Sequence, residues 1–179
     1  MGDDHDHQHD HPHDHPQGTA ADRSASPGSS RPGHDSRPDA LPDWVAAAGA
    51  VPDWQRSIIA PRADLAVLPA AFVPLDLRAR PGVLGYVADF DGNRMFVAAT
   101  RLVRGEVVDD AVRQQLARAI DADAAFAATL EHAIADAAMY LGVILDGQPT
   151  AADPRLAVVG ALAEALDAVV MDGHGRLVG

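Results

Sequence analysis

Bulky hydrophobic positions enter this chain late. Residues 1–40 contain no Val, Ile, Leu, Phe, Tyr or Trp, whereas from Leu41 onward apolar residues recur every few positions. A segment without large apolar side chains cannot bury enough surface to offset the entropy lost on ordering. The pattern therefore divides the chain into an N-terminal arm (1–16), a Gly/Ser/Pro-type spacer (17–40) and one globular domain (41–179). The domain has an ordinary single-domain length.

Within the domain the pattern changes period several times. Leu41-Pro42-Asp43-Trp44 is echoed ten residues later by Val51-Pro52-Asp53-Trp54. Each Asp is suited to capping a helix that begins with Trp, which predicts short helices over about 43–49 and 53–59. The stretch Leu65 to Leu77 is apolar but carries Pro69 and Pro74, which suit edge strands or extended chain. Two runs, Val83 to Phe90 and Arg94 to Val103, then flank Asp91-Gly92-Asn93. That is a β-hairpin over about 83–103 with the turn residues a hairpin needs.

Helical periodicity follows. Asp109-Asp110 reads as an N-cap, and Asp121 and Asp123 as caps of a second helix running to about Leu141. Phe126, Leu130, Ile134, Ala137 and Leu141 would share one face of it, with Val143-Ile144-Leu145 as an extension ended by Gly147 and Pro149. A third helix is expected from about Asp153 to Ala168, with Leu156, Val159, Ala163 and Leu166 inward. Residues 169–178 close the chain as a small second hairpin around Asp172-Gly173-His174-Gly175. The order predicts an α+β fold: a small antiparallel sheet packed against two or three helices, preceded by a disordered arm.

Charge and composition narrow the partners. The net charge of −12 is spread over both parts, −5 in residues 1–40 (8 Asp, 3 Arg) and −7 in the rest. With no basic stripe, nucleic acid and anionic membrane surfaces are not expected partners. There is no Cys, which removes disulfides, thiolate metal sites and Cys nucleophiles. There is also no Lys, which sets aside phosphate-binding loops and Schiff-base chemistry. The longest apolar run, Leu65 to Leu75, spans eleven residues and two prolines, too short to cross a bilayer. The acidic, polar opening does not resemble a secretion signal, so the expected location is cytoplasmic.

The most specific chemistry lies in the arm, MGDDHDHQHDHPHDHP, where His5, His7, His9, His11, His13 and His15 occupy alternate positions. Neutral imidazole is the commonest protein ligand for zinc, nickel and copper. In extended chain, side chains at i and i+2 project to one side, and short loops between them close at little entropic cost. Pro12 and Pro16 argue against a helix, so a fluxional chelator is expected rather than one rigid site. Asp6, Asp10 and Asp14 are added as oxygen ligands, and with Asp3 and Asp4 they concentrate cations. The expected cargo is Ni2+ or Zn2+, with Co2+ and Cu2+ also compatible, loosely bound. In composition these sixteen residues are similar to the His-rich arms of nickel and cobalt accessory proteins.

The domain itself offers less. His132 and Asp136 are one helical turn apart, a spacing that suits a metal or a water, but the pair reads as a solvated face opposite Leu130 and Ile134. Neither H-E-x-x-H nor H-x-x-E-H is present, since Ala128 stands where the latter needs His. His174 sits between glycines and reads as an exposed turn residue. Asp89-x-Asp91-Gly92-Asn93 has its Gly too early for a calcium loop, and Ser57 lacks a Gly-x-Ser-x-Gly setting. No catalytic signature emerges.

The reading is a divalent transition-metal binding accessory or storage protein. Its domain would dock to a protein recipient or to a second copy. The alternative is a protein-interaction or regulatory domain with an incidental low-complexity tail. An enzyme using Trp44, Trp54, Arg and Asp in a cleft is the third.

Overall fold

A computed structural model of the chain describes residues 41–77, 80–120 and 127–178. The expected α+β arrangement is found. Six strands are described: β1 (Gln55–Ala60), β2 (Val73–Leu75), β3 (Val83–Phe90), β4 (Asn93–Arg101), β5 (Met139–Leu145) and β6 (Val169–Asp172). They form one sheet in the order β2-β3-β4-β5-β1-β6, every pair antiparallel. The helices are α1 (Asp43–Ala48), α2 (Val107–Ile120), α3 (Ala127–Asp136) and α4 (Pro154–Leu166).

The hairpin β3-β4 forms as its turn chemistry dictates. Phe90 pairs with Asn93, and the two residues between them, Asp91 (φ 55°) and Gly92 (φ 87°), are both left-handed. A two-residue turn of this kind matches the twist of the strands it joins. Asp89 Oδ1 accepts from the Gly92 N–H at 2.6 Å and fixes the turn.

Elsewhere the structure corrects the sequence reading. The segment expected as a helix over 53–59 is a single 3-10 turn (Pro52–Trp54) followed by β1. Ser57-Ile58-Ile59 is better suited to a strand lying between two others, and β1 pairs with β5 on one side and β6 on the other. The second long helix does not reach Leu141. It ends at Asp136, and Met139–Leu145 is a central strand hydrogen-bonded to both β4 and β1. Its Tyr, Val and Ile favour a pleated surface and its Gly142 disfavours helix. The expected caps at Asp121 and Asp123, and Phe126, lie outside the described residues.

Helix starts shift as well. Pro42, not Asp43, precedes α1, and Asp43 sits inside the first turn, where its charge complements the helix dipole. α2 begins at Val107, two residues before the expected cap, which places Asp109 and Asp110 in its first turn. Asp153 does cap α4, accepting from the Arg155 N–H. Pro74 lies on the edge strand β2, as its missing N–H requires. The closing hairpin forms through a bridge between Met171 and Leu177, so residues 176–178 meet the outer edge of β6.

Both faces of the sheet are covered. On one, Ile58, Val97, Leu141 and Val143 pack with Val159, Leu162 and Leu166 of α4. On the other, Ile59 and Met171 pack with Leu116 of α2 and with Leu130 and Ile134 of α3, while Val45 of α1 lies with Phe96 and Leu77. No described helix is long and apolar enough to cross a membrane.

Candidate functional site

The nine ligand candidates of the arm, His5, His7, His9, His11, His13, His15, Asp6, Asp10 and Asp14, lie outside the described residues. Among the described residues, no group of three or more His, Asp or Glu could hold a metal ion.

The two domain histidines pair with different carboxylates. His132 Nε2 lies 3.5 Å from Asp136 Oδ2, as the one-turn spacing predicts, on an open face of α3 where the two side chains are 83% and 60% exposed. At that exposure the pair contributes little to stability. Both line a cleft of about 560 Å3 with Thr129, Asp167 and Val169. Buried Leu130 and Ile134 fill the opposite face of the same helix. His174 Nε2 is 2.8 Å from Asp53 Oδ1, a contact spanning 121 residues of sequence. Its turn is built on Asp172, whose Oδ1 accepts from the His174 and Arg176 N–H groups and whose Oδ2 accepts from Arg176 Nε. Burial raises the Asp172 carboxyl, but these hydrogen bonds outweigh it and hold the group below its usual range.

The two tryptophans are anchored apart. Trp44 carries the Arg94 guanidinium 5.1 Å from its ring centroid, while Trp54 donates Nε1–H to Gln148 Oε1 at 3.0 Å. Arg94 is also paired with Asp146. Trp54 thus has its polar edge satisfied, while Trp44 is held through its ring face.

Two charged pairs went unremarked in the sequence. Asp109, 1% exposed, accepts from Arg113 Nε at 2.5 Å, and Arg113 also donates to the carbonyls of Ile134 and Ala137. The guanidinium thus ties the first turns of α2 to the C-terminal end of α3. Arg104 adds a bond to the Ala135 carbonyl. A cleft of about 550 Å3 opens beside them, lined also by Asp110 and Glu131. The spacing of Asp109 and Arg113, four apart on a helix, was the available signal. The other pair, Asp153 and Arg155, is wholly interior.

The largest of the grooves described runs along β6 between α4 and the last residues of the chain, with a volume of about 720 Å3. Leu156, Val159, Ala163, Val170, Leu177 and Val178 give it apolar walls, and Arg56 of β1 is the single charged residue on its lining among the described residues. It adjoins the His132 cleft, with which it shares Thr129 and Val169.

No family model matches the chain, and no match emerges among curated proteins or solved structures.

Proposed function

We propose that the chain is a cytoplasmic accessory or storage protein for divalent transition metals, with Ni2+ or Zn2+ captured by the arm and the α+β domain serving as a docking body for a protein recipient. The observation that carries this reading is the alternation of six imidazoles with Asp over His5 to His15. Several exchangeable ligands along a sequence that Pro12 and Pro16 bias against helix give avidity together with fast release, since no closed coordination sphere has to be dismantled. Carboxylates between the imidazoles raise the local cation concentration.

The test keeps the whole chain. Calorimetric titration of Ni2+ and Zn2+ at pH 7.5 is run on the full protein and on a variant with all six arm histidines changed to Asn. Micromolar or tighter binding of more than one ion, lost in the variant, is the expected result. Unchanged binding in the variant overturns the reading and moves attention to His132 and Asp136.

A further inference from the structure

We propose that the groove along β6 is a binding site for an amphipathic anion, a single alkyl chain ending in a carboxylate. Its size and character fit: about 720 Å3, walled mainly by aliphatic side chains of α4, β6 and residues 177–178, with Thr129 and Arg56 as the polar side chains among the described lining residues. Ligand sites of roughly 300–1,000 Å3 are typically apolar with a few placed polar groups that orient the ligand.

The charged residue is Arg56, and its geometry selects the head group. Both hydrogens of Nη1 are spent on backbone carbonyls, those of Asp53 at 3.0 Å and Gln55 at 2.6 Å. These bonds fix the guanidinium and leave Nε and Nη2 without a partner among the described residues. Nε and Nη2 together form the fork that takes a carboxylate side-on through two parallel hydrogen bonds. The acid opposite Arg56 in the β1–β6 register is Asp172, and its oxygens are already taken by Arg176 and by the N–H of His174. Arg56 is therefore a half-satisfied cation facing an apolar trough in a chain of net charge −12. An anion complements that arrangement and a cation does not.

Gly160 supplies an independent observation. It stands in the interior of α4 and lines the groove, and a Cβ built there meets no atom within 4 Å. Glycine weakens a helix interior, and nothing in the chain's own packing requires it at this position. The space it leaves open is groove space, available to an alkyl chain.

Dodecanoate is the probe, titrated into the full chain by calorimetry, with dodecylamine and dodecanol as head-group controls and acetate as the chainless control. Saturable one-to-one binding of dodecanoate is expected, at least tenfold tighter than dodecylamine or dodecanol, with none for acetate. Gly160→Leu, whose side chain projects into open space and leaves the fold intact by circular dichroism, should abolish it. Arg56→Gln should weaken it tenfold or more and erase the preference for the anion. Equal binding of the three long-chain probes, or dodecanoate binding untouched by Gly160→Leu, overturns the proposal. It is equally overturned if dodecanoate fails to bind while the chain self-associates in a manner that Gly160→Leu blocks, which would make the groove a docking surface for a second copy.

Discussion

Arg155 and Asp153, two residues apart at the start of α4, form a buried ion pair in which Asp153 is also the helix cap. Asp153 accepts Arg155 Nε at 2.9 Å and Nη2 at 2.6 Å, and its Oδ1 also takes the Arg155 N–H. Arg155, 2% exposed, spends Nη1 on the carbonyls of Arg94 and Asp146, so one guanidinium joins the helix start to the ends of β4 and β5. Removing one partner of such a pair strands a buried charge. Arg155→Met is expected to cost about 3–5 kcal/mol. Adding Asp153→Asn, which keeps an N-cap but removes the charge, should recover part of that loss. Urea unfolding of the two variants checks both statements.

The same pair gives acid sensitivity a definite sign. Hydrogen bonds from the Arg155 side chain hold the Asp153 carboxyl below its ordinary value of 3.8, against the opposing effect of burial. Asp172 is lowered too, its burial outweighed by bonds from Arg176 and His174. A carboxyl whose folded value lies below its unfolded one contributes stability that is complete above the unfolded value and is lost as pH falls through the folded one. These two groups therefore add nothing to the pH dependence between about pH 5 and 7, and destabilise the domain progressively below about pH 4. Thermal melts from pH 7 to 2.5 should show that decline, and Asp153→Asn should flatten its acid limb.

Arg113 should matter most for one helix. Its bonds to Asp109 and to the carbonyls of Ile134 and Ala137 are what hold the end of α3 against α2. Hydrogen bonds involving a charged group contribute about 1.5–3 kcal/mol each, so Arg113→Met is expected to lower global stability by at least that amount. Amide hydrogen exchange in α3 should accelerate through local opening by a clearly larger factor than in the central strands β4 and β5, where the increase follows the global loss alone. Uniform acceleration across the domain would instead mean that α3 and the sheet open together.

Local chemistry was legible in the sequence and distant pairing was not. Asp91-Gly92 announces its turn because left-handed backbone at two successive positions selects those residue types. Leu141 is the opposite case. Its spacing from Leu130, Ile134 and Ala137 satisfies a helix as well as its burial satisfies a strand, and the choice is made by β4 and β1, whose edges flank it. Ile58 and Ile59 suit a helix in the sequence for the same reason, their strand being defined by partners 80 or more residues further along the chain. Arg155 gave no sign that it would be interior, because two of its acceptors are backbone carbonyls, which no side-chain pattern marks. The groove on β6 draws on residues 56, 160 and 177, and only the folded chain brings Arg56 and Gly160 to the lining of one groove.

Gly160 offers a test of that groove which needs no ligand. With open space where its Cβ would stand, Gly160→Ala should relieve the backbone penalty of a glycine in a helix and stabilise the protein by about 0.5–1 kcal/mol. An increase in the urea midpoint at constant slope is the expected result. A decrease would mean that the position is closed by packing and that the groove is narrower than its walls suggest.

For the arm, the pH dependence of metal affinity separates imidazole capture from simple attraction to carboxylates. An imidazole must lose its proton to ligate, so below its ordinary value of about 6.5 each coordinating His lowers the apparent affinity about tenfold per pH unit. Asp, with an ordinary value of about 3.9, stays ionised over the same range and contributes no slope. A site using three of the six histidines therefore approaches a thousand-fold loss of Ni2+ affinity for each unit below about pH 6, and a site using two approaches a hundred-fold. Calorimetric titration at pH 7.5, 6.0 and 5.5 reads the slope and hence the number of imidazoles on the ion. A flat profile would assign the binding to Asp3, Asp4, Asp6, Asp10 and Asp14, and the alternating histidines would then have no part in holding the metal.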